Sequence, residues 1–208
     1  MPEEIKKQRE ASKKTSWLMC IIILIVYQVP YLIVNNLPLH RIVAPFILGE
    51  ENIPLLPWTF LIYISAFIQG MVILRTIPKE LLKKWLPVGF VLLLSSLFLF
   101  IVIPVEFPRY LYPSEHFFVK FYHWLDQPGN CFPSLHVSIA ILLTACYSML
   151  KKTKLQKSLM WLWTIFIIIS VLTTKQHYLM DIFGGTIVVI PFIYLLKKER
   201  DALLGKKL

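Results

Sequence analysis

Asn130-Cys131-Phe132-Pro133-Ser134-Leu135-His136 runs directly into an apolar stretch over residues 137–150, and this junction decides how the chain folds. A second junction of the same kind, Lys175-Gln176-His177-Tyr178-Leu179-Met180-Asp181, leads into the apolar run over 181–196. Each places a histidine where a polar loop meets a long apolar segment, hence at the edge of a membrane helix rather than inside a soluble core. An ionisable group at that edge finds no partner in lipid, so the bundle has to supply one, and the residue becomes a functional-site candidate.

Working outward, the composition fits a membrane protein. Of the 208 residues, 57% are hydrophobic and 16% charged, with a mean hydropathy of +0.65; a soluble domain carries roughly a quarter charged residues. At ~20 residues per crossing, six crossings and their loops use nearly the whole length. The expected spans are 17–34, 58–74, 87–103, 137–150, 158–173 and 181–196, giving an all-α, six-transmembrane-helix bundle. A cytoplasmic leader (1–16) and a basic cytoplasmic tail (197–208) would flank this single domain (17–196). The first span reads as a retained anchor and not a cleaved signal peptide, because it is long and ends in Pro30-Tyr31-Leu32-Ile33-Val34 without a small-residue cleavage site. The turn-rich loop 35–57 is expected to hold a short interfacial helix over 42–48. The longest polar interval, 104–136, is dense in aromatics and prolines, and a loop of that length in a compact protein is usually functional.

The net charge of +10 would suit nucleic acid, but its distribution does not. Eighteen Lys and Arg lie in the leader, in the loops 75–84 and 151–157 and in the tail, while the other three loops hold only Arg41, Arg109, Lys120 and Lys175. Cytoplasmic loops collect Lys and Arg, so both termini are expected in the cytoplasm and both histidine junctions on the opposite face. No nucleic-acid partner follows. Of Cys20, Cys131 and Cys146 only Cys131 falls in a loop, so a disulfide framework is not expected. Cys131 reads as a small apolar packer, since nothing nearby in sequence would lower its pKa.

In Pro133-Ser134-Leu135-His136, the proline suits the first position of a helix. The N–H groups of Ser134, Leu135 and His136 would then be unpaired first-turn donors, a fitting place for a phosphate or an ordinary cap. His177 and Asp181, four residues apart, would meet on one helix face. A carboxylate on one imidazole nitrogen fixes the tautomer and makes the other nitrogen a better nucleophile; the alternative is a structural pair at a helix start. One histidine as nucleophile and a second as general acid would cleave a phosphoester without metal or cofactor, provided cations hold the phosphate oxygens. Lys175, Arg109 and Lys120 are the candidate cations. His116 and His123, beside Glu115 and Asp126, make a metal site conceivable but lack the spacing of a known zinc motif.

These residues resemble the type 2 phosphatidic acid phosphatase superfamily, integral-membrane lipid phosphatases and phosphotransferases of six helices. Its Pro-Ser-x-His motif is matched by Pro133-Ser134-Leu135-His136, with leucine where glycine is usual. Its Ser-Arg, five residues, His, three residues, Asp motif is matched by Ser170, His177 and Asp181, with Val171 at the arginine position. Its Lys, six residues, Arg-Pro motif finds only Lys120 with Gln127-Pro128. The two missing arginines bind phosphate in the family, and the pattern resembles the inositol phosphorylceramide synthase-like branch. The resemblance implies His177 as nucleophile, Asp181 as its orienting carboxylate, His136 as the acid for the leaving group and Ser134 in phosphate binding.

The expected function is a metal-independent lipid phosphatase acting on a phosphomonoester or diphosphate of a lipid through a phosphohistidine. Its substrate would be a phospholipid or an isoprenoid phosphate. The alternatives are a lipid phosphotransferase and a non-catalytic lipid-binding or transport protein. The expected location is a plasma membrane, that of a bacterial cell, with the site facing away from the cytoplasm.

Overall fold

The computed structural model describes residues 15–205. The leader positions Lys6, Lys7, Arg9, Lys13 and Lys14 and the tail positions Lys206 and Lys207 lie outside them. Among the described residues there are seven α-helices: α1 (Trp17–Asn35), α2 (Phe60–Thr76), α3 (Lys79–Val102), α4 (Phe117–Leu125), α5 (Leu135–Met149), α6 (Lys154–Thr173) and α7 (Leu179–Leu203). Side chains set several of the starts. Ser16 accepts from the Met19 N–H ahead of α1, and Thr153 and Gln156 form a capping box ahead of α6, satisfying first-turn donors that have no partner within the helix.

Among the described residues, five stretches are long and apolar enough to cross a membrane: α1, α2 with its leading turn, α3, α6 and α7. The remaining apolar helix, α5, has 15 residues, or ~22 Å at helical rise, short of a ~30 Å hydrocarbon layer. It packs against α2, α6 and α7 and buries Val137, Ala140, Leu142 and Ala145. A helix enclosed by protein does not have to match the lipid thickness, because its neighbours satisfy the backbone beyond its ends. Polar contacts knit this centre together: Thr144 on α5 and Gln69 on α2 both bond Thr164 on α6, at 2.6 and 2.9 Å. Small polar side chains of this kind hold helices together where the hydrophobic effect cannot. Outward faces carry exposed apolar side chains, among them Ile22 and Ile33 on α1, Phe98 on α3, Ile165 on α6 and Ile187 on α7, as lipid contact requires.

The bundle has two unlike ends. At one, α2 turns into α3, α5 into α6, and α7 finishes; Arg75, Lys79, Lys152, Lys154 and Arg200 gather there. Thr15 Oγ1 donates to Ile77 O and Arg200 to Met149 O across this end. At the other, α1, α3 and α6 finish and α5 and α7 begin, bringing both histidine junctions together.

Four expectations need correction. Residues 42–48 form no helix: the β-branched Ile42 and Val43 make a short strand, β1 (Ile42–Val43), parallel to β2 (Val105–Glu106), and Pro45 cannot extend a backbone ladder. The third helix begins at Lys79 and not near residue 87, because Pro87 is accommodated inside it and the lysines of its first turns can reach the aqueous edge. The interval 104–136 is not simply a loop, since it contains α4. α7 also continues to Leu203, through part of the expected tail.

Candidate active site

The start of α7 is built around Asp181. Its Oδ2 accepts from the Tyr178 N–H at 2.8 Å and lies 3.2 Å from His177 Nδ1. His177 precedes the helix, so the pair is made by a third-position carboxylate reaching back across the helix start, the geometry of a cap, and not by two residues on one helix face. Both side chains are buried, Asp181 at 1% exposure and His177 at 8%. With Nδ1–H donating to the carboxylate, Nε2 keeps its lone pair.

The start of α5 is pinned against the same place. Ser134 is its cap: its Oγ accepts from the Val137 N–H at 3.4 Å, and its own N–H donates to Asp181 O at 3.0 Å. Pro133 therefore stands before the cap rather than at the first helical position. The Ser134 N–H is not a free donor, and only Leu135 and His136 remain as first-turn donors of the expected three. Close approach of α5 to α7 requires Gly185, where a Cβ would fall 2.6 Å from Ser134 O; Ser138 Oγ seals the contact by donating to Gly185 O at 2.9 Å. In the same first turn His136 stacks on Tyr63 with ring centroids 4.0 Å apart. Its Nε2 lies 3.1 Å from Tyr63 O, which makes Nε2–H the donor and leaves Nδ1 as the free nitrogen. His136, His177 and Asn130 line one cavity.

The candidate cations divide. Arg109 Nη1 donates to Asp126 O at 2.6 Å, its Nη2 bonds the Gln176 side chain, and the Asp126 carboxylate lies 3.9 Å away. Gln176 precedes His177, so this guanidinium is tied to the loop that carries His177, with its Nε buried and unpaired. Lys120 instead pairs at the exposed surface of α4 with Glu115. Lys175 turns the other way: its ammonium lies 4.0 Å from the Tyr112 ring and donates to Glu50 O at 3.4 Å. Glu50, also buried, accepts from the Leu179 N–H with its Oε2, so Lys175 and Glu50 tie the first loop to the start of α7. Burial pulls the Lys175 ammonium pKa down against the pull of Glu50 and Glu51.

Residues that sequence reasoning missed complete the surroundings. Asp126 accepts from Tyr31 OH at 3.2 Å and from Asn35 Nδ2; burial pushes its carboxyl pKa up, and Arg109 pulls it back. Asn130 adopts a positive φ of 57° and donates to Tyr31 O at 3.3 Å, while its Oδ1 is buried without a partner. No periodic pattern marks these loop positions. The one available signal was the Asn130-Cys131 pair, separated from Pro133 by Phe132 alone.

A sequence model of the PAP2 superfamily matches residues 55–195, more than half of the chain. The chain belongs to the PAP2 superfamily. No curated protein matches it. Members of the PAP2 superfamily are typically phosphatases or phosphotransferases, and with five described helices of membrane-spanning length the chain is an integral membrane member of that superfamily. Where the PAP2 motif expects an arginine, Val171 is fully buried in the apolar core, and the guanidinium tied to the loop ahead of His177 is that of Arg109. One possible metal-ligand group lies in this PAP2 site: Cys131, His177 and Asp181 offer atoms within 4.8 Å of one another. Its donor atoms are already paired within the protein: Asp181 Oδ2 with His177 Nδ1 and the Tyr178 N–H, and the Cys131 thiol with Pro128 O.

Proposed function

We propose that the chain is a metal-independent membrane phosphatase that hydrolyses a phosphomonoester or diphosphate of a lipid. The buried His177–Asp181 pair opening on the same cavity as His136 carries the reading. Asp181 holds the Nδ1 proton of His177. The Nε2 lone pair attacks phosphorus, a P–N bond forms as the P–O bond to the lipid breaks, and protonated His136 gives its Nδ1 proton to the leaving oxygen. Neutral His136 then takes a proton from water, whose oxygen attacks phosphorus and frees His177 and phosphate. Arg109 and Ser134 hold the phosphate oxygens. The placement of Lys120 and Lys175 supports neither as a phosphate ligand.

In this reading α1, α2, α3, α5, α6 and α7 all cross the bilayer, both termini are cytoplasmic, and the site faces outward across a bacterial plasma membrane. The gathering of lysines and arginines at the far end of the bundle supports this orientation. A second reading, a phosphotransferase of the inositol phosphorylceramide synthase-like kind, is favoured by Val171 and Arg109: the phosphate cation comes from the long loop. An alcohol acceptor would then replace water.

Phosphate release from lipid phosphates by the purified protein in EDTA tests the proposal. Release is expected to persist in EDTA, to vanish in His177→Ala, and to drop by about 10²–10⁴ in His136→Ala. Release that needs a divalent metal, or that survives His177→Ala, overturns it.

A further inference from the structure

Beneath the two histidines the bundle is not filled. A cavity of about 160 Å³ begins at Asn130, His136 and His177 and descends between α1, α2, α3 and α5. His136 and Cys146 both line it, ten positions apart on α5, so it reaches roughly 15 Å down that helix. Its floor lies at the basic end of the bundle, where Leu82, Trp85 and Leu196 close it and Trp85 Nε1 donates to Leu196 O at 3.0 Å.

We propose that this cavity takes the hydrocarbon tail of the substrate, and that the substrate is a lipid phosphate with a single chain; this rests on the phosphatase reading above. Continuity is the first support: a chain in the cavity puts its head group between His136 and His177 without further movement. The second is chemistry, since between the polar rim and the floor the wall is made chiefly of apolar side chains. The third is width. An engineered apolar cavity of about 150 Å³ holds one benzene, so a cavity of about 160 Å³ has no room for two chains side by side.

Fit, rather than the hydrophobic effect, sets the selectivity. A tail passing from bilayer to cavity moves between two apolar media and gains little from leaving water. Gly70 lines the cavity midway down α2: a Cβ there would meet Leu143 at 3.4 Å and Leu24 at 3.6 Å, ordinary contacts, so a longer side chain would project into the path.

Photolabelling tests the proposal independently of turnover. Hexadecyl phosphate with a diazirine at the chain end is added to the His177→Ala protein in nanodiscs. The label is expected on Cys146, Leu82 or Trp85, and unlabelled hexadecyl phosphate should compete at least tenfold better than dihexadecanoyl phosphatidic acid. Gly70→Leu should cut floor labelling at least fivefold, and the labelling itself needs no substitution below the polar rim. Label on lipid-facing residues such as Phe98 or Ile165, equal competition by phosphatidic acid, or equal competition by a phosphate-free alkane overturns the proposal. Floor labelling in a protein whose wild type releases no phosphate would instead sink the phosphatase reading and leave the tail site standing.

Discussion

The Arg109 guanidinium is fixed at three points, by Asp126 O, the Asp126 carboxylate and the Gln176 side chain, and the proposed function uses it as the phosphate cation. Lys120, which the sequence offered on equal terms through a degraded motif, spends its charge on exposed Glu115. A fork held in advance loses little freedom when it binds phosphate, whereas a solvated ammonium has to be ordered first. Arg109→Ala is therefore expected to lower kcat/KM for a lipid phosphate by about 10²–10³, the usual effect of removing one preorganised donor, and Lys120→Ala should leave it within about twofold. Steady-state kinetics of the two variants decides, and the reverse order would restore the first motif. The histidines were legible because each stood at a junction of polar and apolar sequence. The partners of Arg109 were not, because Asp126 and Gln176 come to it from separate loops and share no spacing that a period of two or 3.6 could reveal.

Helices were legible to within a few residues wherever an apolar run met a cap or a turn, as at α1 and α6. α4 escaped because its aromatic residues sit among prolines and look like the rest of the loop, and β1 and β2 because two-residue strands exist only through their mutual pairing. Nor could the sequence say which glycine mattered in Gly184-Gly185. At Gly184 a Cβ would meet the edge of the Phe132 ring at 2.6 Å, and a ring can swing aside; at Gly185 it would meet the backbone oxygen of Ser134 at the same distance, and that oxygen belongs to the cap that positions His136. Gly185→Ala is expected to cost about 1–3 kcal/mol, the usual range for overpacking, with lost activity, and Gly184→Ala distinctly less. Thermal unfolding of the two variants in detergent measures the order; equal shifts would mean that the α5–α7 contact does not set the position of the cap.

At the scale of the molecule, the same sequence feature that suggested nucleic acid by its total suggests a topology by its placement. The bundle places the loop between α2 and α3, the loop between α5 and α6, and the end of α7 at one pole, and the histidine junctions at the other. Charge and fold therefore divide the chain along the same line, although each was read from different information. The proposed orientation puts Lys152 in the cytoplasm and Lys120 outside. Cys20, Cys131 and Cys146 are all buried free thiols, so a single cysteine introduced at either lysine can be read against a quiet background. In intact cells a membrane-impermeant maleimide is expected to label Lys120→Cys and to spare Lys152→Cys until the membrane is opened. Labelling in the opposite pattern would put the site on the cytoplasmic face, where the substrate pool differs, and labelling of both from outside would mean that fewer helices cross than the bundle suggests. The site chemistry would survive either result, because the contacts between α5 and α7 that assemble it do not depend on which face of the membrane they meet.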